Sequence, residues 1–179
     1  ILKSITNPPI ILGGAYVNSL GVVRDLGKIH VKSFVLHHNR FGIAGKSRFA
    51  EEIICPDPWE DQEALIDFLI QLGEKLNGKG VIFVTDDKYL EVVSKHRRDL
   101  LHYFSCTFPD YEYLGRMMDK NCQYQTAKEL HIPYPKSEVI NCGSDKTVFE
   151  SFDYPFIIKG LEGKDFTRAV GKQVIKINS

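Results

Sequence analysis

No charge of one sign predominates in this sequence. Lys and Arg together number 23, as do Asp and Glu, so the formal net charge is zero. A chain without a basic field has no general attraction for nucleic acid or an anionic membrane, and neither is expected as a partner. No apolar run is long enough to span a bilayer, and no secretory leader pattern is present. Cysteine is sparse: Cys55, Cys106, Cys122 and Cys142 form no C-x-x-C pair and fit no zinc spacing. Buried free thiols in a reducing compartment are expected, hence a soluble, cytoplasmic protein. Internal repeats and low-complexity tracts are also missing, which argues against disorder. His37 and His38 are adjacent, but neighbouring residues of a strand face opposite ways, so they are not expected to chelate one ion. No metal ligand is assigned.

What is present is 179 residues with 43% hydrophobic content, enough for one good-sized domain or a small domain plus part of another. The chain begins at Ile1 rather than Met and breaks off at Ser179, which reads as a piece of a longer protein.

The first half alternates strand and helix patterns. Pro9–Gly14 reads as a short buried strand running into a glycine turn. Leu20, Val23 and Leu26 then share a helical face, with Asn18 a candidate N-cap and Gly27 a candidate stop. Residues 31–36 form a second strand. Residues 37–58 read as loop, with one short apolar run at Ile53-Ile54. Leu65, Leu69, Leu72 and Leu76 mark an amphipathic helix from Glu60 to near Asn77-Gly78. Val81–Val84 is a further strand. Thr85-Asp86-Asp87 caps a long helix carrying Leu90, Val93, Arg97, Leu100 and Phe104. This order predicts an α/β, Rossmann-like parallel sheet over residues 1–110.

The texture changes after Phe108-Pro109-Asp110, and residues 111–179 read as a second, incomplete lobe. Asp119 caps a helix that Pro133 and Pro135 terminate after Leu130. Val139-Ile140 reads as a short strand, Asp145–Phe149 as a weak helix, and Phe156–Ile158 and Gln173–Ile177 as strands. The glycine-bearing segment between the last two, residues 160–171, reads as a turn.

Several motifs bear on chemistry. Gly13-Gly14 lies between a strand and a helix, where backbone amides face an anion. The G-x-G-x-x-G spacing is absent, so a tight βα corner competes with a substrate contact. Gly45-Lys46-Ser47 has the tail of a P-loop, but Arg40 occupies the position that requires glycine. Ser47 and Arg48 remain candidates to grip a substrate carboxylate. Asp86 and Asp87 follow a strand at the ligand-binding edge of an α/β sheet, although helix capping accounts for one of them. Arg97 lies on the apolar side of its helix, within reach of a carboxylate. Lys120 at a helix start and Lys159 at a strand end, followed by Gly160 and Gly163, form a set suited to phosphates.

Asp119-Lys120, Ala127–Lys136 and Tyr154-Pro-Phe-Ile-Ile-Lys-Gly160 together resemble the entry to the ATP-grasp superfamily, ligases that join a carboxylate to an amine or similar nucleophile. The upstream segment, with Ser47-Arg48-Phe49, Val84–Asp87 and Arg97–Leu100, is similar to the pre-ATP-grasp domain of carbamoyl-phosphate-synthase-like and D-aspartate-ligase-like members. The resemblance covers nearly the whole chain. It implies that Lys120 and Lys159 contact ATP phosphates beneath a flap at 160–171. It also implies that ATP and Mg²⁺ activate a small, amino-acid-like carboxylate as an acyl phosphate. Three departures stand out. His131 replaces the glycine usual before Ile-Pro. The flap is poor in glycine and serine. The sequence ends before the family's adenine hinge and metal ligands, so this stretch alone is not expected to turn over. A non-catalytic nucleotide or small-molecule binding module is the alternative, and a homodimer is allowed by the sequence.

Overall fold

The computed structural model describes residues 6–39, 42–140, 146–160 and 163–178. The chain divides into two compact units, Ile1–Leu114 and Gly115–Ser179. The division falls inside a helix, Tyr111–Met118.

The first unit is built on five parallel strands: β1 (Pro9–Leu12), β2 (Ser33–His37), β3 (Ala50–Ile54), β4 (Gly80–Val84) and β5 (Phe104–Cys106), in the order β3-β2-β1-β4-β5. Helices α1 (Val17–Lys28), α2 (Gln62–Gly73), α3 (Asp87–Lys95) and the short α4 (Arg97–Leu100) complete it. The unbroken apolar sequences of β1 and β2 follow from burial on both faces. Ile10, Leu12, Phe34, Leu36 and Ile82 point to one side and pack with Leu65, Leu69 and Leu72 of α2 and Val92 and Val93 of α3. Ile11 and Val35 point to the other and pack with Val23 of α1 and with Ala44. This two-sided wrapping is the expected α/β architecture.

Local departures from the expected pattern have identifiable causes. The stretch read as loop contains a 3₁₀ turn, Ala44–Lys46, and the whole of β3. Glu51 and Glu52 hid the strand, because a rim strand tolerates charge that a central one does not. The long helix after Asp86 breaks at His96, and Phe104 opens β5 opposite Gly80. Strand pairing there overrides the helical spacing of Leu100 and Phe104. Asn18 is not the N-cap of α1: Tyr16 is, and the Asn18 amide donates to the Thr85 carbonyl at 2.6 Å. Gly27 is not the stop either, for its absent Cβ leaves room for the Phe49 ring. The left-handed position is taken by His30 (φ 63°), with His30 N–H bonding Gly27 O and Val31 N–H bonding Leu26 O, a Schellman closure.

In the second unit, α5 (Tyr111–Met118) is followed by α6 (Lys120–Glu129), a 3₁₀ turn (Lys146–Ser151), β6 (Phe156–Lys159), α7 (Gly163–Val170) and β7 (Val174–Ile177). Strands β6 and β7 pair antiparallel. Val139-Ile140 forms no strand. The segment read as a turn is a helix over 163–170; its glycines bracket one element, with Gly171 (φ 75°) as the left-handed stop whose N–H bonds Thr167 O. Leu161 and Glu162, like Arg40, Phe41 and Cys142, lie outside the described residues.

Candidate functional site

Chain reversal of strand order places a crevice between the C-terminal ends of β1 and β4, the position at which open α/β sheets bind ligands. Gly13 meets Asp86 there, while Gly14 packs against Val35 and His37 of β2. Gly13 takes φ 91°, and a Cβ on it would lie 2.7 Å from the Asp86 Cβ. Thr85 Oγ1 donates to the carbonyls of Leu12 and Gly13, at 2.8 and 3.1 Å, and fixes the two turns to each other. The Asp86 carboxylate accepts from Lys88 N–H at 2.9 Å, so capping accounts for one of its oxygens. Asp87 sits in the first turn of α3.

Next to this crevice lies a group that the sequence did not reveal. Tyr89, fully buried on α3, places its hydroxyl 3.1 Å from the His38 N–H, 3.3 Å from His38 Nδ1 and 3.5 Å from Cys55 Sγ. His38 Nε2 lies 3.8 Å from Asp57, and Trp59 stands edge-on to both His38 and Tyr89. The His37 and His38 rings are 4.4 Å apart, because β2 ends at His37 and strand alternation no longer separates them. Burial pushes the Cys55 thiol up to about 11 and the Tyr89 phenol higher still, so both stay protonated. Burial, then the neighbouring His38, lowers the His37 pKa. Among the described residues no three His, Cys, Asp or Glu side chains converge as metal ligands.

Ser47 and Arg48 are not at this edge. Ser33, at the start of β2, donates its N–H to Phe49 O at 3.0 Å, which sets them toward the opposite end of the sheet. They line an open groove of about 780 Å³ with Arg24 and Lys28 of α1. Arg97 does reach a carboxylate, Asp110 at 3.4 Å, and its Nε donates to Phe108 O at 2.9 Å. Of the described cysteines only Cys55 is buried; Cys106 and Cys122 are partly exposed, and none is disulfide-bonded.

The second unit carries the lysine pair. Asp119 caps α6 by accepting from Asn121 and Cys122 N–H at 2.7 and 3.2 Å, which sets Lys120 at the first helical position. Lys159 ends β6, and its ammonium donates to the Tyr124 hydroxyl at 3.5 Å. Tyr124 lies one helical turn beyond Lys120 and shares its face. Its ring stacks on Tyr134. Thus both lysines come to one side of α6, and Tyr124 is the residue that links them. Its only trace in the sequence is the i, i+4 spacing from Lys120. Gly160 follows Lys159 directly, while Gly163 opens α7. No helix among the described residues is long and apolar enough to cross a membrane.

No family model matches the chain. It is 24% identical over 148 residues to a D-aspartate ligase of Enterococcus faecium, covering 78% of this chain and 35% of that protein. The structure resembles an L-amino acid ligase from Bacillus licheniformis, with TM-score 0.66 and 13% identity over 98% of this chain and 40% of that one. It also resembles the N5-carboxyaminoimidazole synthetase of Staphylococcus aureus complexed with ADP, with TM-score 0.60 and 20% identity over 100% of this chain and 43% of that one. The chain therefore spans well under half the length of each of these proteins. By sequence the chain is similar to part of a D-aspartate ligase, and its fold is that of the N-terminal part of ATP-grasp ligases.

Proposed function

We propose that the chain is the N-terminal portion of an ATP-dependent carboxylate–amine ligase, with an amino-acid-like carboxylate as substrate. The observation that carries this reading is the contact of Lys159 with Tyr124, one helical turn along α6 from Lys120. Neither ammonium is ion-paired among the described residues, so the charge is available to an anion. The similarity to a D-aspartate ligase and the fold shared with an L-amino acid ligase support the substrate class.

In the reaction we assign, a carboxylate oxygen attacks the γ-phosphorus of ATP and the bond to the β–γ bridging oxygen breaks, releasing ADP. An amine nitrogen then attacks the acyl carbon, phosphate leaves and the nitrogen loses a proton. Lys120 and Lys159 hold the polyphosphate and offset charge that grows on the transferring group. Mg²⁺ bound to the nucleotide would supply further charge. No described residue here forms a ligand set for it, and no step is assigned to a metal ligand of this chain. The crevice of Gly13, Gly14, Asp86 and Asp87 is the substrate-side candidate, and Ser47 and Arg48 offer a separate carboxylate contact.

The test is ADP release by the full-length protein with Mg²⁺ across a panel of amino acids and amines. Release that requires both a carboxylate and an amine is expected. ATP binding with no ATP-dependent chemistry on any carboxylate would overturn the ligase reading in favour of a binding module.

A further inference from the structure

Resting on the nucleotide reading above, we infer that Lys176 is a third phosphate-binding residue of this lobe. The β6–β7 register pairs Ile157 with Lys176 and Lys159 with Val174. Residues opposite each other in an antiparallel pair point to the same side, and alternation does the rest. One face of the ribbon therefore carries Phe156, Ile158, Ile175 and Ile177, all partly buried. The other carries Ile157, Lys159, Val174 and Lys176, all exposed. The two lysines are diagonal neighbours, displaced by two residue pairs, roughly 7 Å along the strands.

Tyr124 of α6 meets this same face through Lys159. Lys176 thus shares the surface that already holds the nucleotide-facing ammonium. Neither lysine has a carboxylate partner among the described residues. Like charges on one face of a ribbon repel each other even when diagonal, and an anion between them relieves that repulsion. A polyphosphate is extended and carries charge on successive groups, and two ammoniums spaced along the strand engage different phosphates of one chain. Lys176 stands farther than Lys159 from the β6–β7 connection, so the two ammoniums reach different points along a bound polyphosphate.

The experiment is calorimetric titration of ATP into the full-length protein carrying Lys176→Gln, Lys176→Arg or Lys159→Ala, with circular dichroism as a folding check. Lys176→Gln is expected to weaken ATP about tenfold, as for loss of a charged hydrogen bond. Lys176→Arg, which keeps the charge, should stay within about twofold of the parent. ATP affinity unchanged by Lys176→Gln but weakened by Lys159→Ala would overturn the role of Lys176 and leave the site standing. Affinity unchanged in both would overturn the nucleotide site itself.

Discussion

Lys159 reaches from the end of β6 to the Tyr124 hydroxyl on α6, a contact of 3.5 Å between two elements that are far apart in the chain. Tyr124→Phe removes the acceptor and keeps the ring that stacks on Tyr134. ATP affinity of the full-length protein should fall about two- to fivefold, in the range of one ordinary hydrogen bond. Lys159→Ala should cost more, about tenfold or beyond, and leave the fold intact because the head group is exposed. In the double variant the two effects should not add. Strict additivity, read by calorimetry, would show that the phenol does not act through the lysine.

Gly13 and Gly21 should respond in opposite ways to alanine. Gly13 combines φ 91° with a Cβ position 2.7 Å from Asp86 Cβ, so Gly13→Ala should destabilise the first unit by about 3 kcal/mol. Gly21 lies inside α1 with nothing within 4 Å of its Cβ position, and alanine there should stabilise by about 0.5–1 kcal/mol. Urea unfolding midpoints give both signs.

His30 and His131 occupy left-handed positions at the ends of α1 and α6, with φ 63° and 55°. Each closes its helix in the same way, since Ile132 N–H bonds Ala127 O and His131 N–H bonds Lys128 O. A side chain in this region costs about 1–2 kcal/mol, and glycine returns part of that through its freer unfolded chain. His30→Gly and His131→Gly should each raise stability by about 0.5 kcal/mol. A lower unfolding midpoint would mean that the imidazoles make contacts worth more than the backbone strain.

His37 gives the first unit an acid-side weakness. Its pKa is depressed first by burial and then by His38, while Asp86, Glu52 and Asp57 oppose the shift. A depressed folded value means that the unfolded chain takes up the proton first. The stabilising contribution is therefore complete above the ordinary 6.5 and is lost as pH falls through the folded value. An NMR titration of His37 should show a midpoint below 6.5. A midpoint at or above it would remove the predicted stability loss.

Strands β1, β2 and β4 were legible because each is an unbroken apolar run, which is what burial on both faces demands. Strand β3 was not, since Glu51 and Glu52 interrupt it and only its place at the rim excuses them. Phe104 continued a helical spacing from Leu100, and nothing local announced that Gly80 would claim it for a strand. The segment between Gly160 and Gly171 misled in the reverse direction, because glycines that end a helix look the same as glycines that make a turn. Lys120 and Lys159 could be picked out from their flanking cap and apolar run. The Tyr124–Lys159 contact is tertiary, as is the convergence of Tyr89 with His38 and Cys55, and beyond the i, i+4 step from Lys120 to Tyr124 the spacing along the chain does not say which side chains will meet.

The two rims of the five-stranded sheet differ in how they meet other molecules. At one rim β5 is only three residues long, Phe104–Cys106. At the other, β3 bears Glu51 and Glu52, and Lys46 lies against Glu52 at 2.5 Å. A foreign strand docking on β5 finds too few free backbone groups to hold it. One docking on β3 meets two half-buried carboxylates, one of them already paired with Lys46. The same glutamates that obscured β3 thus also blunt this rim as a template for a foreign strand.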